Sequence, residues 1–231
     1  MSGQSAFEKR YVDPKDQSDV EGLLEHFNLP PKVIAFLRAN KRAVQIVLAV
    51  IISLIVAVSL YDSYKEKKIE NAASNLALAL KESGEEQKNA LQRVVDNYSG
   101  TDSAVWATVE LAHLEMKTKN YDAAATMYAD IHNSLKADNP LFGLTLFSLA
   151  QAEEAKKDYE AALAGFEKLK DLDGYQLTGY TGIARIYETQ GELDKALGIY
   201  GQYLAVIGDN NNAGNAKAFI EEKIARIKAR Q

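Results

Sequence analysis

The chain has no cysteine, so disulfides, thiolate nucleophiles and cysteine-ligated metals are excluded. Proline is nearly as scarce: of four, only Pro140 falls beyond residue 31, so the strongest helix breaker is almost missing from there on. Alternating β-rich runs are also few. Histidine is limited to His26, His113 and His132, too dispersed for a metal pair four residues apart on one helix face. No G-x-x-x-x-G-K-[ST], G-x-G-x-x-G or G-x-S-x-G occurs, so a phosphate cradle or hydrolase elbow has no support. Adjacent acids such as Glu85–Glu86, Glu153–Glu154 and Glu221–Glu222 would point about 100° apart on a helix, and read as solvated faces, not an acid/base dyad. The expectation is a protein that is not an enzyme and uses no metal, cofactor or small-molecule substrate.

Charge is missing from one place in particular. Ala43 to Tyr61 reads AVQIVLAVIISLIVAVSLY, with a single amide at Gln45. Nineteen residues reach roughly 28 Å as a helix, close to the hydrocarbon thickness of a bilayer. The run is too long for a strand and has no polar face for a surface helix. Lys41 and Arg42 flank one end and Tyr61, Tyr64, Lys65, Lys67 and Lys68 the other, as interfacial anchors do. Forty-two mixed residues precede the run and no small-x-small cleavage site follows it, so an uncleaved transmembrane helix over 43–61 is expected, not a signal peptide.

The two flanks differ in charge. Residues 1–42 hold seven Lys and Arg against six Asp and Glu, whereas residues 62–231 hold 20 against 26. An acidic domain lacks the cations that neutralise phosphates, which argues against nucleic acid. Close to the run, Lys32, Arg38, Lys41 and Arg42 outnumber Lys65, Lys67 and Lys68, a bias that puts the N-terminus in the cytoplasm. In the N-terminal segment, VEGLLEHFN aligns Val20, Leu23, Leu24 and Phe27 as a short amphipathic helix that ends at the NLPP of 28–31. A second helix from Lys32 is expected to run directly into the span. Its Val33, Ile34, Phe36 and Leu37, beside basic residues, suit a membrane surface.

Beyond the span the chain repeats. ELAHLEMKTKNYDAAATMYADI, SLAQAEEAKKDYEAALAGFEKL and GIARIYETQGELDKALGIYGQY superpose: Ala112, Ala150 and Ala184 recur at steps of 38 and 34. Tyr121, Tyr159 and Leu193 keep the same steps, as do Ala124, Ala162 and Ala196, each followed four residues on by Tyr128, Phe166 and Tyr200. Small residues let paired helices approach, and the aromatic fills the space between pairs. This pattern resembles tetratricopeptide repeats. Of the features usual in them, the glycine before the turn survives only as Gly191 and the late first-helix aromatic only as Tyr187, with Glu115 and Glu153 in its place elsewhere. The usual closing proline is replaced by Lys136, Gly174 and Gly208.

The expected fold is therefore all-α: one transmembrane helix, then a tetratricopeptide-type solenoid with a C-terminal cap. The divisions are 1–42 (cytoplasmic segment), 43–61 (span), 62–104 (linking helix and degenerate first pair), 105–208 (divergent repeats) and 209–231 (loop and capping helix). In the cap, Phe219, Ile220, Ile224 and Ile227 share one face. This layout, with RANKRAVQIVLAVIISLIVAVSLYDSY and ALQRVVDNYSGTDSAVWATVELAHLEMKTKNYDAAA, resembles the ancillary subunit of the bacterial SecYEG translocon. The resemblance implies an inner-membrane protein with periplasmic repeats. Its implied partners are the Sec translocon, a membrane-anchored periplasmic chaperone and newly exported polypeptides.

The resemblance to tetratricopeptide repeats marks the first helix of each pair as ligand-facing: Trp106, Val109, His113 and Met116, then Leu144, Phe147, Gln151 and Glu154, then Thr178, Thr181, Arg185 and Glu188. Trp106 and Phe147 fit either an apolar peptide groove or packing between helix pairs. Two functions stay open, a client-binding helper and an envelope scaffold that handles no clients. A reversed topology with cytoplasmic repeats is a third.

Overall fold

The computed structural model describes residues 31–208 and 214–230, and every regular element among them is an α-helix. The amphipathic helix expected around Val20–Phe27 lies outside the described residues. Helix α1 runs Pro31–Ala39 and α2 runs Lys41–Ala79. The continuous helix expected from Lys32 is divided at Asn40, whose Nδ2 donates to the Phe36 carbonyl at 3.0 Å. Asparagine side chains compete with helical bonding in this way. The bonds Asn40 N to Phe36 O and Val44 N to Asn40 O, both 3.0 Å, still carry helical pairing across it.

The chain divides after Lys65 into two compact units. The first holds α1 and the apolar part of α2. That part is long and apolar enough to cross a membrane, and none of it is buried within the protein. No break separates the apolar run from the segment expected to link it onward, because α2 is one helix to Ala79.

The second unit consists of the last turns of α2 followed by α3 (Gly84–Asn97), α4 (Asp102–Lys117), α5 (Tyr121–Ser134), α6 (Leu141–Ala155), α7 (Tyr159–Lys170), α8 (Gln176–Thr189), α9 (Leu193–Ile207) and α10 (Gly214–Lys228). From α3 onward each helix lies against the next. Stacking of near neighbours in sequence is the signature of a solenoid. Four apolar clusters follow one another along the chain in place of a single central core.

The alanine columns explain how the helices pair. Ala112, Ala150 and Ala184 on the first helices and Ala124, Ala162 and Ala196 on the second are each at most 1 % exposed. With no side chain beyond Cβ they let helix axes close up. Tyr128, Phe166 and Tyr200 fill the gaps this leaves and are equally buried. Truncating one of these rings to alanine would cost about 3–5 kcal/mol.

The three hairpin turns are the same turn. The N–H groups of Asn120, Asp158 and Glu192 reach back to the carbonyls of Glu115, Glu153 and Tyr187 at 2.8, 2.9 and 2.8 Å. Those of Lys119, Lys157 and Gly191 reach Met116, Glu154 and Glu188 at 3.1, 2.9 and 3.2 Å. This pair of bonds is a Schellman cap, which needs a left-handed residue after the helix. Lys119, Lys157 and Gly191 supply it with φ of 64°, 68° and 79°. Tyr121, Tyr159 and Leu193 then open α5, α7 and α9.

Helix α10 closes the array by burying Ile220 and Ile227 against Tyr180, Ala184, Tyr200 and Tyr203. Of the apolar face expected there, Phe219 does not join: it stays exposed, with the Lys223 ammonium 5.2 Å from its ring centroid. Phe219 sits next to Ile220, and neighbours on a helix point apart, so both cannot enter one core.

Candidate functional site

The first helices α4, α6 and α8 carry the residues expected to face a ligand, and their surroundings change along the array. On α4, Val109 is 1 % exposed and belongs to the core with Ala112, Ala124, Tyr128 and Ile131. It supports the wall and does not front it. Met116 packs half-buried on the same cluster. His113 is exposed, with Nδ1 3.6 Å from Glu110 Oε2 and its ring 5.9 Å from that of Tyr128. Trp106 stands 40 % exposed near the start of α4.

On α6, Leu144 and Gln151 are half-buried. Phe147 lies edge-on to Phe166 at 6.5 Å between centroids and joins the second core cluster. The two aromatics singled out together in the sequence therefore differ: Phe147 is a half-buried core contributor, and Trp106 is the outward one.

On α8 the face becomes charged and paired within itself. Arg185 donates from Nε and Nη2 to Glu154 Oε1 and Oε2 at 2.7 and 2.6 Å. Its guanidinium lies 5.5 Å from the Phe166 ring centroid. Such a fork-to-carboxylate pair fixes geometry as well as charge, and the bond to Glu154 raises the Arg185 pKa further. Glu188 accepts from the Tyr200 hydroxyl at 2.9 Å and from Arg226 Nη2 at 3.4 Å. Burial first, then the Glu188 bond, raise the Tyr200 pKa. Two repeats back, burial pushes Tyr128 up to about 12.

Two acids that replaced the usual late aromatic find cations instead. Glu115, buried, accepts from Lys88 Nζ at 2.6 Å and Asn120 Nδ2 at 2.7 Å. These bonds, Lys88 first, hold its carboxyl below the usual range. Glu153 pairs with Lys156 at 2.9 Å. The roles of Lys88 and Arg226 were not foreseen, since each comes from a helix outside the three matched repeats. Their only sequence signal is a base opposite an acid about one repeat away.

Lys41, Arg42, Tyr61 and Tyr64, expected at the ends of the span, are all exposed on α2. Among the described residues no cluster of His, Asp and Glu could hold a metal ion. A cavity of about 470 Å³ between the end of α2 and α3 presents Asn75, Asn89, Arg93, Asn97 and Tyr98 and includes none of the residues expected to face a ligand. The arrangement offers surfaces for association.

Comparison with known proteins agrees with that chemistry. A family model described as a tetratricopeptide repeat-like domain matches residues 35–229. No curated protein gives a significant match. Among solved structures, a variant of a protein described as a Podosopora anserina kinesin light chain with nearly identical TPR-like repeats is 18% identical. The match covers 71% of this chain and 85% of that one, with a TM-score of 0.51. Another structure of that protein is 17% identical over 73% and 96% of the two chains, with a TM-score of 0.46. At such identity the likeness concerns the fold alone.

Proposed function

Because the chain belongs to the tetratricopeptide repeat-like domain family, we propose that it is a membrane-tethered protein-binding module that assists newly exported polypeptides beside the Sec translocon. Repeats of this type are scaffolds for protein–protein contact, without catalysis of their own. The observation that carries the tether is the apolar stretch of α2, none of it buried within the protein, which in water would be a severe liability. A single span, uncleaved, with the N-terminus in the cytoplasm and the repeats in the periplasm, accounts for it. The four-to-three excess of Lys and Arg before the run supports that orientation. The layout's resemblance to the ancillary translocon subunit supports the Sec translocon and a membrane-anchored periplasmic chaperone as partners.

A second reading has an observation of its own. The α8 end of the face is closed by the Glu154–Arg185 and Glu188–Arg226 pairs, which suits a fixed protein contact better than varied apolar clients. In that case the chain is an envelope scaffold. Crosslinking in intact membranes followed by purification of the full chain separates them. Recovery of translocon subunits together with exported chains is expected. Recovery of one fixed envelope complex without exported chains would replace the first reading by the second.

A further inference from the structure

We propose that the cavity beside Trp106 is a docking pocket for one bulky apolar side chain of an extended, cationic polypeptide segment. It deepens the polypeptide-binding reading above and rests on it. The connection from α5 to α6 passes the first turns of α4 and sets Leu135, Asn139, Pro140 and Leu141 opposite Asp102 and Trp106. The space enclosed is about 210 Å³. Small-molecule sites start at roughly 300 Å³, so this one suits a single side chain.

Three features choose the occupant. Trp106 is the bulkiest apolar side chain in the repeats, yet it is left 40 % exposed while the repeat aromatics Tyr128, Phe166 and Tyr200 are buried. A tryptophan wall that becomes covered on binding is the usual anchor of an interface. Asp102 is the ionisable liner, and it makes no ion pair among the described residues. It is the one charged residue in the lining, so a neighbouring Lys or Arg is attracted and an acidic segment repelled. Asn139 already uses Oδ1 to accept from Leu141 N at 2.8 Å, leaving its amide N–H groups to meet a carbonyl of an extended chain.

Trp106 is the only tryptophan in the chain, so its fluorescence reports on this pocket alone. The full chain is reconstituted in phosphatidylcholine vesicles. It is titrated with a rhodamine-labelled Gly/Ser peptide carrying 4-iodophenylalanine, a contact quencher of indole, between two lysines. Peptide anisotropy gives affinity, and indole emission gives location. Saturable quenching is expected at the concentrations where anisotropy rises. Alanine in place of the iodophenylalanine, or glutamates in place of the lysines, should abolish both signals. Trp106→Ala should weaken binding about thirtyfold. Asp102→Asn, which leaves the wall intact, should weaken it about two- to fivefold. Binding by anisotropy without quenching, or binding indifferent to the Asp102 change and to the lysines, overturns the pocket and leaves polypeptide binding standing. No binding by either signal overturns both.

Discussion

At the scale of single residues, the turns show what a linear reading can and cannot see. Tyr121, Tyr159 and Leu193 announced the turn register through their spacing. The left-handed residue two positions earlier was legible only at Gly191, because a lysine carries no signal for positive φ. Lys119 and Lys157 bear a strain of about 1 kcal/mol or more that glycine would not, partly offset by glycine's greater freedom when unfolded. Lys119→Gly and Lys157→Gly should each raise the melting temperature slightly, and Gly191→Ala should lower it. Circular dichroism melts of the three variants check this, and the opposite order of signs would remove the strain argument. Glu115 yields a pH prediction. Its folded pKa is depressed by Lys88 and Asn120, so its contribution is present above the unfolded value, about 4.3, and is lost as pH falls through the folded one. Glu115→Gln should therefore flatten the stability-versus-pH slope below about 4.3 and leave it unchanged between neutral pH and there. Denaturant titrations across that range measure the slope.

At the scale of elements, the alanine and aromatic columns were readable because they recur in register, and the helix pairs follow from them. The crossing of α7 and α8 was not, because two glycines inside a helical pattern look like weak points and not like contacts. A Cβ at Gly182 would sit 2.2 Å from the Phe166 ring, and one at Gly179 would sit 2.3 Å from the backbone N of Lys170. A ring can rotate or shift, whereas backbone inside a helix cannot. Overpacking of this kind costs about 1–3 kcal/mol, and Gly179→Ala should stand at the upper end and Gly182→Ala below it. Urea unfolding of the two variants beside Gly198→Ala, where the added Cβ meets nothing within 4 Å, supplies the comparison. Equal effects at all three positions would mean that the crossing is looser than drawn. Cross-repeat ion pairs such as Lys88–Glu115 and Glu188–Arg226 carried little sequence signal for a different reason. They join helices from different pairs, and charge patterns within one helix say nothing about them.

At the scale of the whole molecule, a helix with an exposed apolar run precedes a unit built for association. The first follows from nineteen uncharged residues, the second from three columns in register. Alkaline carbonate should leave the full-length chain in the membrane pellet, and a C-terminal alkaline phosphatase fusion should be active. A soluble, shortened product or an inactive fusion would remove the tether or its orientation. Which partner meets the repeats was not legible, because binding surfaces depend on how helices present their faces. Trp106 and Phe147, alike in sequence logic, part company only in three dimensions. The most direct measurement places a photo-reactive amino acid at His113, Gln151 or Thr178 on the first helices, and at the exposed Thr126, Ala164 or Gln202 on the second, in the full chain in living cells. Adducts with other polypeptides concentrated at the first-helix positions are expected. Adducts spread evenly over both sets, or confined to the second helices, would contradict a polypeptide-binding first-helix face.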